Sequence, residues 1–137
     1  MYKDTVTLFC KYQNTWKATV LNNVDLNTDR GKIVGTYGEH CTDRAMLHIK
    51  FRPDGAKIKV GDVSWHTPED YIGEGITFNT GDDFSFFIPD KWNGADIIND
   101  DEYTVGFFDY IASQREAYRI TSVSMYSVIP HFEILGQ

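Results

Sequence analysis

Between Thr5 and Tyr12 apolar and polar positions alternate, with Val6, Leu8, Cys10 and Tyr12 on one face, the period of a half-buried strand. Gln13-Asn14-Thr15 reads as a turn, after which Trp16, Ala18 and Val20 share a face, so the two segments form a predicted β-hairpin. Asn22-Asn23 interrupts the pattern before a short run, Val24-Asp25-Leu26. The stretch 28–38 contains Gly31, Gly35 and Gly38, too many glycines for a regular helix, and reads as a connection with about one helical turn. Ala45, Leu47, Ile49 and Phe51 alternate with Met46, His48, Lys50 and Arg52, predicting a third strand. Pro53-Asp54-Gly55 is a turn, because proline presets one dihedral and glycine permits a positive one. Lys57 to Val60 is the expected hairpin partner of that third strand.

Pro68 makes the stretch from Trp65 to Tyr71 a loop or a first helical turn. Ile76 to Phe78 and Phe84 to Ile88 flank Asn79 to Asp83 as a further hairpin, and Asp90 to Gly94 is another turn. One helix is expected, at about 100–113. Asn99 is placed to cap it, Glu102 completes a capping-box pattern, and Asp100 and Asp101 suit the positive helix end. Tyr103, Phe107, Tyr110 and Ile111 fall at helical spacing as its buried stripe. Tyr118 to Tyr126 is a long strand, and Phe132 to Ile134 extends the chain after Pro130. The fold class is therefore mainly β: a small β-barrel or sandwich with one late α-helix, formed by residues 1–137 as a single β-rich domain.

A 42% hydrophobic fraction with 15% aromatic residues supplies a core and argues against disorder. No run approaches the ~18 apolar residues of a membrane-spanning helix, and Met1 to Thr5 carries no long apolar stretch of an export signal, so no membrane partner and a cytoplasmic origin are expected. A formal charge of −7, from 20 acids and 13 bases, disfavours general nucleic-acid binding, although an acidic surface suits a place where DNA must pass without sticking. Cys10 and Cys41 are expected to be reduced, Cys10 as a buried small hydrophobe and Cys41 in a polar loop.

The chain has no phosphate-binding glycine loop, no Gly-x-Ser-x-Gly elbow and no His-Glu-x-x-His, and no catalytic residue is assigned. His40, Cys41 and Asp43, with His48 further on, form the best metal constellation. Adjacent side chains in an extended chain diverge, however, and His48 shares its strand face with Lys50, so no metal and no cofactor are expected. The acids Asp82-Asp83, Asp90, Asp96 and Asp100-Asp101 lie at turns or at the helix start, where local hydrogen bonding explains them better than paired-carboxylate hydrolysis. His131 and Glu133 share one strand face, but without an evident nucleophile beside them. Trp65, Tyr71 and Trp92 sit in loops, which makes them candidates for a protein interface, for sugar stacking, or for plugs at the ends of a barrel.

Tyr2 to Phe9, Thr15-Trp16, Thr19 to Asn27, Ala45 to Lys50 and Ile120 to Ile134 resemble the corresponding stretches of small uncharacterised phage and prophage proteins, a resemblance spanning nearly the whole chain. That family belongs to virion morphogenesis in tailed bacteriophages. The layout is also similar, as a fold, to head-closure (stopper) and head–tail joining proteins. The resemblance implies a non-enzymatic structural subunit of a head–tail connector ring, present in the virion and assembled in the host bacterial cytoplasm. Its partners would be copies of itself, the portal or adaptor, tail proteins, and passing genomic DNA that is not held tightly. A tail-terminator or minor capsid role is the alternative within virions; a carbohydrate- or ligand-binding β-domain using Trp65 and Trp92, and then a hydrolase, are the alternatives outside them. The family brings no site residues with it. From the residues themselves, Gly81, Asp82 and Asp83 are the candidate lumen loop, and the Trp65 to Gly75 loop the candidate contact with a neighbour.

Overall fold

Gln13 and Asn14 both adopt the left-handed backbone region, with φ of 50° and 62°. Two such residues in succession make the tight turn whose twist matches a β-hairpin, and they join β1 (Asp4–Tyr12) to β2 (Thr15–Gly35). In this computed structural model residues 2–35 and 38–137 are described, with side chains outside 29–43. The remaining elements are β3 (Gly38–Lys50), β4 (Arg52–Asp54), β5 (Lys57–Val60), β6 (Val63–Trp65), β7 (Phe86–Ile88), β8 (Ile97–Asn99), a 3-10 turn (Asp100–Glu102), α1 (Phe107–Gln114), β9 (Tyr118–Tyr126) and β10 (His131–Gly136).

Strands β1, β7, β9, β10, β3 and β2 are hydrogen-bonded in that order, and β2 pairs back to β1, so the six close into an antiparallel barrel. The expected mainly β fold with a late helix is what the chain adopts, in its barrel form and with the helix short. Every second residue of these strands points inward: Val6, Leu8 and Cys10 from β1, Ala45, Leu47 and Ile49 from β3, Phe132 and Ile134 from β10. The segment 52–78, with the small sheet β4–β5–β6, adds Val60, Tyr71, Ile76 and Phe78 to the same core.

Alternation in β1 implies a solvated outer face, yet Thr7 and Phe9 are also fully buried. A second core explains them. Phe9, Trp16, Phe86, Ile88 and Ile98 meet Phe107 and Ile111 of α1, which lies on the outer wall of the barrel. The rings interlock, Phe9 stacking on Phe86 at 4.7 Å and meeting Phe107 edge-on at 5.3 Å. Thr7 donates to Asp90 O at 2.7 Å and accepts from Trp92 N at 2.8 Å, which satisfies its buried hydroxyl.

Local readings give way where pairing competes with them. Residues 28–35 are strand, not a helical connection: β2 continues to Gly35 against β3, whose ladder supplies backbone partners that a glycine-rich helix would supply poorly. The Asn22-Asn23 interruption is where β2 bends; Asn23 has φ of 58°, and the strand changes partner from β1 to β3 at this point. Lys57–Val60 pairs with β4 across a Gly55-Ala56 turn rather than with β3, whose two edges are taken by β2 and β10. The same logic removes the expected 76–88 hairpin. Both edges of β7 are occupied, by β1 and β9, and Ile76 makes only a parallel bridge to Trp65. The expected helix at 100–113 is divided: Asn99 does cap, its side chain accepting from Asp101 N, but it caps the 3-10 turn. Gly106, with φ of 88°, then breaks the path, and the α-helix proper starts at Phe107.

Candidate functional site: the open wall and its hairpin tip

Helix α1 covers the outer wall at β1, β2 and β7, and leaves the outer wall at β3, β10 and β9 open. The strand register places Asp25, His48, Glu133 and Ser124 in one row across four strands of that wall. Lys50, His131 and Tyr126 form the next row. The predicted His131–Glu133 pairing is present, with His131 Nε2 3.0 Å from Glu133 Oε2. His131 Nδ1 lies 2.6 Å from the Ile129 carbonyl, so each ring nitrogen faces an acceptor, and only the imidazolium has a proton for both. The hydrogen bond to Ile129 O, then that to Glu133, raise the pKa of His131 above its ordinary 6.5. His48 adds a second imidazole, with Nδ1 3.5 Å from Asp25 Oδ2 and Nε2 4.0 Å from Glu133 Oε1. Periodicity placed His131 and Glu133 on one face, but Asp25 and His48 join them only through the order of the strands.

A Ser–His–acid relay needs the imidazole between the other two groups. Here Glu133 stands between Ser124 and His48 in the row, so that relay is not formed. Among the described residues no group of three or more His, Cys, Asp or Glu side chains is disposed to hold a metal ion. His40, Cys41 and Asp43 lie outside the residues with described side chains. The cluster also braces the backbone. His131 stacks on Tyr126 at 4.9 Å and holds Ile129 O, bracing the turn 127–130 between β9 and β10.

That turn is apolar and bare. Val128 is 97% exposed and Ile129 74%, with Tyr126 beside them partly exposed. Single exposed aliphatics are unremarkable, whereas two adjacent ones held on a braced turn have the form of a contact point. Phe51 N donates to Pro130 O at 3.3 Å, tying the tip to the segment that carries Lys50 and Arg52. Beside the β1–β2 turn lies a mainly apolar hollow of about 240 Å3, lined by Tyr12, Gln13, Thr15, Lys17, Tyr71, Gly73 and Ile97.

The other candidate residues fall as follows. Gly81, Asp82 and Asp83 are exposed, in a loop rather than a hairpin tip. It is closed by Ser85 N donating to Asn79 O, Asn79 N to Ser85 Oγ, and Gly81 N to Asn79 Oδ1. Tyr71 is buried, meeting Tyr12 edge-on at 6.3 Å, and burial raises the pKa of its phenol. Trp65 packs on Phe132 at 5.1 Å, and Trp92 on Phe9 at 5.4 Å with its Nε1 donating to Ala95 O. Trp65 and Tyr71 pack with the barrel core, and Trp92 with the core under α1. A polar hollow of about 610 Å3, walled by Lys17, Asp62, His66, Glu74 and Asp96 among others, includes neither Trp65 nor Trp92.

Two of the clustered acids, Asp90 and Asp100, are engaged in the fold. Asp90 pairs with Arg115 at 3.1 Å. Asp100 is a hub: its Oδ1 accepts from Trp16 Nε1 and from Phe107 N, both at 2.9 Å, and Lys11 lies 3.9 Å away. Burial pushes the Asp100 carboxyl up, but the two hydrogen bonds and the Lys11 charge outweigh it and hold the pKa below 3.8. Cys10 is buried as expected, and burial raises its thiol to about 11. Comparisons with protein-family models, with curated proteins and with solved structures found no match.

Proposed function

We propose that this chain is a non-enzymatic structural subunit of a tailed-phage virion, a member of a connector ring between head and tail. The observation that carries the reading is the exposed aliphatic tip at Val128 and Ile129, braced by His131 and Tyr126. The six barrel strands close on one another, and the bare aliphatic tip offers association through side chains. The resemblance of the chain's opening, its third strand and its close to phage morphogenesis proteins supports the same reading. In such a ring the exposed acids Asp82 and Asp83 suit a channel wall that DNA passes without adhering. The ligand-binding alternative receives less support, because Trp65 and Trp92 pack on Phe132 and Phe9 rather than standing free to stack a sugar.

The test is an electron-microscopy map of the virion whose genome encodes this chain, with the chain tagged. A ring of tagged subunits at the neck is the expected result. Purified, infectious particles that lack the chain would overturn the proposal.

A further inference from the structure

The barrel topology fixes how the tip and the β1–β2 hollow are placed relative to each other. Strands alternate in direction all round the closed sheet, so the turn leaving β1 and the turn leaving β9 lie at the same end of the barrel. In the ring order β1-β7-β9-β10-β3-β2 the pair β1/β2 is separated from β9/β10 by one strand on either side, β7 one way and β3 the other. The two hairpins are therefore diametrically opposed at one end. One side presents Val128 and Ile129, and the other presents the hollow walled by Tyr12, Tyr71, Gly73 and Ile97. Ile97 and Ile72 are 65% and 66% exposed beside that hollow, so both halves of an apolar contact stand uncovered on one chain.

Charge distinguishes the two sides. The chain carries 20 acids and 13 bases, yet the residues joined to the tip through Phe51 are the bases Lys50 and Arg52, with Lys59 paired opposite Arg52. The loop that supplies Tyr71 and Gly73 to the hollow carries the exposed acids Glu69, Asp70 and Glu74, against one cation, Lys17, in the wall. Lys50 stands in the row next to the tip and the acids Glu133 and Asp25 one row further off, so a tip with bases nearest it and an acid-rimmed hollow are complementary to each other and not to themselves. Such a pair favours head-to-tail association over a two-fold dimer.

We propose that the Val128–Ile129 tip of one copy seats in the Tyr12–Tyr71–Ile97 hollow of the next. Copies joined this way run head to tail, and they form a ring where the rotation from copy to copy closes. The inference deepens the ring reading above by naming its contact, and it rests on that reading.

The experiment uses the purified full chain and two single variants, Val128→Asp and Ile97→Asp, with mass measured by native mass spectrometry and light scattering. Both positions are exposed, so unchanged thermal melts confirm that folding is intact. The wild type should form closed oligomers, and either variant alone should associate at least about thirtyfold more weakly, as expected for the loss of a central contact. Mixing the two variants is decisive. Each mixed pair retains one intact tip facing one intact hollow, so the mixture should form dimers that grow no further. Variants that are monomeric alone and remain so when mixed would overturn the knob-and-hollow contact, and an Ile97→Asp variant that still associates while Val128→Asp does not would overturn it in favour of a tip-to-tip one. A wild-type ring that both variants preserve would overturn the contact while leaving the ring reading in place. A wild type that stays monomeric at every concentration would overturn the contact, and the neck map would then decide the ring reading separately.

Discussion

Asp100 and His131 are the two side chains whose ionisation is most plainly tied to shape. Asp100 fastens β2, through Trp16, to the start of α1, through Phe107 N. Asp100→Ala leaves an indole N–H and a helix-end N–H without their acceptor, and should cost about 2–3 kcal/mol in urea unfolding. Its folded pKa lies below 3.8, so the stability it adds is present above that value and is lost as pH falls through the folded pKa. Acid unfolding of the wild type should therefore lose part of its pH dependence below 3.8 in the alanine variant. For His131 the sign is opposite. Its folded pKa is raised, so its contribution is complete below 6.5 and is lost as pH rises through the folded value. The groups around it are Glu133, His48, Lys50, Asp25 and Tyr126. An NMR titration should place the His131 midpoint above 6.5, and Glu133→Gln should lower it; an unshifted midpoint would contradict the double-acceptor geometry.

Elements in this chain are held by what stands at their edges. β6 meets the segment at Ile76 through one short exchange, Ile76 N to Ser64 O and His66 N to Ile76 O, both at 2.9 Å. Gly75 makes that approach possible: its φ is +77°, and a Cβ there would stand 2.3 Å from Ser64 O. Gly75→Ala combines an unfavourable dihedral with a collision against backbone, and should destabilise the fold by about 2 kcal/mol or more, read as a lowered urea midpoint. The small sheet and Tyr71 depend on this junction, so hydrogen exchange in 57–78 should quicken more than in β9 and β10.

For the whole molecule, the charge of −7 and the exposed loop at Asp82 and Asp83 bear on DNA passage. Replacing both with lysine should barely change folding, since exposed turn acids contribute no more than ~0.5 kcal/mol. If this loop lines the channel of the proposed ring, particles carrying the double lysine variant should assemble but release DNA slowly, with relief at high salt. Normal release in low salt would remove the loop from the lumen without touching the tip-to-hollow contact, which uses other residues.

Period-two alternation was enough to read β1, the 45–50 part of β3, β9 and β10 from the chain, because each has one face in the barrel and side chains report that face directly. Gln13-Asn14, the cap at Asn99 and the helix end at Gln114 were equally legible, being local backbone chemistry. Strand partners were not. The extension of β2 to Gly35, the pairing of Lys57–Val60 with β4 and the loss of the 76–88 hairpin all turn on which edges are already occupied, a property of the closed sheet. The buried outer face of β1 depends likewise on α1 lying over it, and Gly106 divides the helix because Asp100 reaches past it to Phe107. The site follows the same division. His131 and Glu133 were adjacent by periodicity, whereas Asp25 and His48 reached them only across strands distant in sequence. The sequence determined, by itself, the strand character of β1, the 45–50 part of β3, β9 and β10 and the inward apolar face of each, since these depend on neighbours one to four residues away. Which strands meet, and so which side chains form the open wall, the tip and the opposed hollow, was decided only when the barrel closed.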